Sequence, residues 1–64
     1  MSYETKYDNG AQMWFIRETD LARGRERDTK GGWYNCTDAE EALGDPESLE
    51  FSNWEPIRKH GIWP

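Results

Sequence analysis

The chain has 64 residues, 13 Asp and Glu against 8 Lys and Arg, and a formal charge of −5. That length supports one small domain, 1–64, and its acidity argues against a generic nucleic-acid binder, because phosphate contacts need the opposite sign. One cysteine (Cys36) and one histidine (His60) exclude an internal disulfide and a four-ligand zinc site.

The N-terminus "MSYETKYDNG" has no basic and apolar leader, and no apolar run nears the roughly 20 residues of a membrane span. The expectation is a cytoplasmic protein, and the start at Met1 suggests a complete small gene product. "YETKY" alternates Tyr3, Thr5 and Tyr7 with Glu4 and Lys6, the period of a half-buried strand. Asn9-Gly10 predicts a two-residue hairpin turn. Ala11 to Thr19 is the returning strand, apolar on both faces at its centre and therefore central in a sheet.

Residues 20–32, "DLARGRERDTKGG", have alternating charge and no apolar stripe, and predict a mobile loop or long hairpin tip. On such a loop Arg25 and Arg27 are solvated, and removing them leaves stability nearly unchanged. "WYNC" (Trp33–Cys36) resumes an extended pattern. "TDAEEALG" predicts a short helix, with Thr37 as cap, Glu40 at the capping-box spacing and Gly44 as the stop. For 45–52 two readings stand: Asp45 and Pro46 can restart a helix, or "LEFSNWEP" forms a strand with Leu49, Phe51 and Asn53 on one face. The strand is preferred. "IRKHGIWP" can close the chain with a helical turn, Ile62 and Trp63 tucked back as an anchor. The sum is an α+β domain, a three- or four-stranded antiparallel sheet with one short helix in the order ββ–β–α–β. Its core is expected from Trp14, Phe15, Ile16, Trp33, Leu43 and Phe51, large rings standing in for scarce aliphatics.

No catalytic, cofactor or metal constellation is legible. Cys36 and His60 have nothing that brings them together as nucleophile and base, and Glu40 and Glu41 are adjacent and diverge on a helix. The expectation is a protein that is not an enzyme and needs no cofactor. Two surfaces remain. Residues 37–55 hold seven acids and no base. Six of them, Asp38, Glu40, Glu41, Asp45, Glu47 and Glu50, are the candidate contact with a basic partner, weighed against the plain reading that they cap a helix and keep a small protein soluble. The alternative is single-stranded nucleic-acid binding through Arg23, Arg25, Arg27 and Lys30, with Trp14 or Trp33 as stacking platform. Direct nucleic-acid contact is disfavoured by the acids interleaved in that segment. A structural or assembly subunit, for instance a homodimer, is the third class.

The stretch "TDAEEAL", Thr37 to Leu43, lying between "WYNC" and "LEFSNW", resembles the layout of small phage-encoded host-takeover proteins such as the T7-type inhibitor of bacterial RNA polymerase. Anti-restriction and anti-CRISPR proteins are similar in size and charge. The resemblance implies an inhibitor that engages a basic surface of a host protein handling nucleic acid. The Asn-Gly hairpin and the Arg-rich segment depart from that layout.

Overall fold

The computed structural model describes residues 1–57. The first two strands, β1 (Ser2–Asp8) and β2 (Met13–Asp20), pair antiparallel from Ser2 opposite Thr19 to Asp8 opposite Met13. A third strand, β3 (Arg25–Asp28), pairs with β2, and a short β4 (Glu55–Pro56) pairs with β3. Helix α1 (Cys36–Leu43) lies between β3 and β4 in the chain and packs against β1 and β2. The fold is thus α+β, a four-stranded antiparallel sheet in the order β1-β2-β3-β4 with one short helix, as the sequence predicts. Among the described residues no helix is long and apolar enough to cross a membrane. The expected final turn, His60 and the Ile62–Trp63 anchor lie outside the described residues.

Several elements differ from expectation. Residues 20–32 are not one long loop: Arg25–Asp28 is the third strand, and "WYNC" is not a strand beyond a single bridge of Trp33 to Trp14. Both hairpin loops have four residues and follow an aspartate. Asp8 Oδ1 accepts the Gly10 amide at 2.9 Å, and Asp20 Oδ1 accepts the Arg23 amide at 3.4 Å. The last loop residue is left-handed in each, Gln12 at φ 58° and Gly24 at φ 65°. The Asn-Gly pair therefore does not form the two-residue turn. The aspartate side chain organises a longer loop, and Gln12 takes the left-handed position. Helix α1 begins one residue before Thr37. Asn35, in extended backbone, accepts the Asp38 amide at 2.8 Å and is the true cap.

The 45–52 ambiguity resolves into both readings in part. Pro46–Ser48 is one 3-10 turn, and Phe51 then bridges Thr29. Residues 50–57 follow β3 through Lys30 N–H to the Glu50 carbonyl (2.9 Å), Ser52 N–H to the Asp28 carbonyl (2.9 Å) and Ile57 N–H to the Gly24 carbonyl (3.1 Å). Thr29 faces Phe51 while Glu26 faces Glu55, so the returning segment holds one residue more than β3 between those pairs. This bulge replaces the strict alternation expected for "LEFSNWEP".

The core is smaller than expected. Ile16 and Ala39 are the fully buried apolar side chains among the described residues, and Trp14, Phe15, Trp33, Leu43 and Phe51 are half-buried. One sheet and an eight-residue helix have too little mass to seal large rings. Gly32 sits where space is tightest: a Cβ there would meet the Trp14 carbonyl oxygen at 2.9 Å and the Phe15 ring at 3.0 Å, whereas at Gly31 it would meet nothing within 4 Å. Gly32→Ala is expected to cost about 1–3 kcal/mol in urea denaturation by forcing the Trp33–Trp14 bridge apart, and Gly31→Ala less than about 0.5 kcal/mol.

Candidate functional site

The C-terminal half of β2 buries charge. Arg17, Glu18 and Asp20 are 8%, 3% and 6% exposed, and Glu26 on β3 is 7% exposed. Such groups persist only if paired and hydrogen-bonded. Register supplies the partners, because Arg17 lies opposite Asp28, Glu18 opposite Arg27 and Asp20 opposite Arg25. Arg17 donates to both oxygens of Asp28, from Nε at 2.8 Å and Nη2 at 3.2 Å. Those bonds, with Asp28, Glu26 and Glu4 close by, raise the Arg17 pKa against the opposing effect of burial.

On the opposite face a row crosses the first three strands and reaches the returning segment. The Tyr3 hydroxyl on β1 donates to Glu18 Oε2 at 3.0 Å, and Arg27 Nε donates to Glu18 Oε1 at 2.6 Å. The Arg27 guanidinium lies 4.5 Å from the Phe51 ring centroid and 4.1 Å from that of Trp54. Arg25 donates to Asp20 at 3.2 Å and lies 4.1 Å from the same Trp54 ring. The extra residue between Phe51 and Glu55 brings Phe51 and Trp54 to one arginine.

The nucleic-acid alternative therefore loses its two central residues as free contacts. Arg25 and Arg27 hold the sheet together, and the expectation that they are dispensable loop charges is corrected. Arg23 stays 69% exposed, 3.7 Å from Asp20, and Lys30 is exposed while Trp33 is half-buried. Trp14 packs edge-on against Tyr7 at 5.4 Å between ring centroids. Trp54 and Glu18 are the residues that sequence reasoning missed. A charged residue at alternate positions of a strand, facing an opposite charge at matching positions nearby, is the signal that could have shown the second.

The six candidate acids present a different picture. Asp38, Glu40 and Glu41 lie on α1, Asp45 follows it, Glu47 is in the 3-10 turn and Glu50 leads into the bridge at Phe51. All six are exposed, and among the described residues none forms an ion pair with Lys or Arg. Asp38 accepts from the Asn35 side chain at 3.1 Å, and the Cys36 thiol lies 3.6 Å from Glu40. A surface depression of about 340 Å³ lies beside Met1, Thr19 and Leu21, and its one acidic side chain, Asp20, is already engaged by Arg25.

Two outcomes follow from the row through Glu18. Arg27→Ala leaves a buried carboxylate without its cation and is expected to cost about 3 kcal/mol by urea denaturation, Arg27→Lys recovering only part, while Arg23→Ala costs less than about 0.5 kcal/mol. The Tyr3 phenol is raised above 10.0, first by its hydrogen bond to Glu18 and then by burial. A raised folded value means that Tyr3 supports folding fully below its unfolded value, and that this support is lost as pH rises through the folded one. Absorbance titration should show a phenol ionising above 10.0 that is missing in Tyr3→Phe, and wild-type stability should fall over that alkaline interval.

Comparisons with protein families, curated proteins and solved structures match nothing to this chain.

Proposed function

We propose that this chain is a non-catalytic binding protein whose face of Asp38, Glu40, Glu41, Asp45, Glu47 and Glu50 docks onto a basic surface of a partner protein. The observation that carries this is a division among the carboxylates. In the sheet, Glu18, Asp20 and Asp28 each hold an arginine at 2.6–3.2 Å. Across 38–50 six carboxylates stand exposed with no Lys or Arg partner among the described residues. Asp38 suits the first turn of α1, but the others add mutual repulsion and little stability to the fold. A single-sign surface of this kind speeds encounter with a surface of opposite sign and discriminates against acidic ones.

A basic cleft built for nucleic acid is the natural complement, since spaced carboxylates offer the charge of a phosphate backbone. The resemblance noted for "TDAEEAL" gives the specific form: an inhibitor, encoded by a phage or mobile element, of a host protein that handles nucleic acid. Single-stranded nucleic-acid binding is less well supported, because Arg25 and Arg27 are engaged inside the fold.

Affinity capture from a bacterial lysate with mass spectrometry identifies the partner. Glu40→Lys, Glu41→Lys and Glu47→Lys together take the formal charge from −5 to +1. They are expected to abolish capture with the circular dichroism spectrum unchanged. Binding that survives both this triple change and about 1 M salt, where the Debye length is about 3 Å, would overturn the proposal.

A further inference from the structure

Strand β1 is one edge of the sheet, and among the described residues no strand pairs with its outer side. The main-chain groups that face outward follow from the neighbouring bonds. The Ile16 carbonyl accepts the Thr29 amide at 3.0 Å, and Trp14 exchanges bonds with Trp33 at 2.7 and 2.8 Å, so both residues of β2 turn their main-chain groups away from β1. Their partners on β1, Thr5 and Tyr7, therefore sit at non-hydrogen-bonded positions of that ladder and turn their own N–H and C=O outward. Alternation adds Tyr3.

We propose that this edge pairs antiparallel with β1 of a second copy of the chain, Thr5 opposite Thr5 on the two-fold axis. Three properties select that register. It joins every outward group, Tyr3 to Tyr7, Thr5 to Thr5 and Tyr7 to Tyr3, giving about six hydrogen bonds from three residues on each copy. It sets Glu4 against Lys6 twice, at the non-hydrogen-bonded positions where side chains approach most closely. It also sets Tyr3 against Tyr7, which are 36% and 43% exposed.

Neighbouring registers fail. Sliding by one residue opposes outward with inward groups. Sliding by two sets Glu4 against Glu4 or Lys6 against Lys6, and carries the ladder past Ser2 or into the loop after Asp8. A lysine on an edge strand ordinarily discourages pairing; here Lys6 meets Glu4 in the chosen register, and the slide that sets it against its own copy is disfavoured. The result is a continuous eight-stranded sheet with an isologous interface. An interface confined to one seven-residue strand is smaller than the roughly 1,200–2,000 Å² of standard complexes, so the association is expected to be weak and concentration-dependent.

Sedimentation velocity of the whole chain, from about 1 μM to about 1 mM, tests this. The wild type is expected to pass from monomer to dimer. Thr5→Pro removes an outward N–H that the β1–β2 ladder does not use, a position where an edge strand tolerates proline, and is expected to stay monomeric. Glu4→Lys and Lys6→Glu are each expected to be monomeric alone, because each sets like charges opposite one another. Mixed in equal amounts they restore opposite charges in the same register and should form a heterodimer. A wild type monomeric throughout, a dimer that tolerates Glu4→Lys, or a mixture that stays monomeric would each overturn the proposal. The triple Glu40, Glu41, Glu47 reversal is expected to leave the dimer intact, so failure of the edge pairing and failure of the acidic-face reading are distinguishable.

Discussion

The Glu18–Arg27 pair is the constraint on which the rest of the sheet depends. Glu18 is almost wholly buried, at the middle of a row across the first three strands, and it takes hydrogen bonds from Tyr3 on one side and Arg27 on the other. Arg27 in turn rests on Phe51 and Trp54, the segment that returns along β3. One carboxylate thus links the first strand, the second, the third and the chain after the helix. Burying an ion pair costs desolvation that its attraction only about offsets, so this pair contributes more to registry than to net stability. Stacking on two aromatic rings adds about 0.5–2 kcal/mol per contact and, unlike a lysine, the planar guanidinium can make it while bonded to a carboxylate.

Charge here does work that apolar mass does in larger domains. With Ile16 and Ala39 the fully buried apolar side chains described, the helix and sheet cannot close over a continuous apolar core. The sheet responds by pairing opposite charges across strands on both of its faces: Arg17 with Asp28 on one, Glu18 with Arg27 and Asp20 with Arg25 on the other. Against that background the acids of 38–50 stand apart. They follow a different rule from the carboxylates of the sheet, and their position on the helix and the turn after it keeps them clear of the arginines the fold consumes.

The same alternation that builds the interior rows writes a pattern on the outer edge. Once Glu18 and Asp20 must face Arg27 and Arg25, the parity of β2 is set, and with it the parity of β1. Tyr3, Thr5 and Tyr7 share the face of Glu18, while Glu4 and Lys6 share that of Arg17. An edge with opposite charges two residues apart, centred on a small residue, is complementary to itself about that centre.

From the sequence alone, the class of fold, the first two strands with the second of them central, and a short helix in the 37–44 region are legible, because each rests on local periodicity or a local stop. The acidic face is legible for the same reason, being a run of like charge in one segment. The third strand is not, because "RERD" has no apolar residue to show a period; its strand character comes from opposite charges on β2 that lie five, nine and eleven places earlier in the chain. The cap at Asn35 was masked by a better-known pattern two residues on. The pairing of Phe51 and Trp54 on Arg27 depends on one extra residue in the returning segment, which no local propensity records. Local patterning determined the first two strands, the helix and the acidic surface, and tertiary register decided the third strand and which charges are consumed inside the fold and which stay exposed, because burial makes an unpaired charge too costly to leave in the sheet.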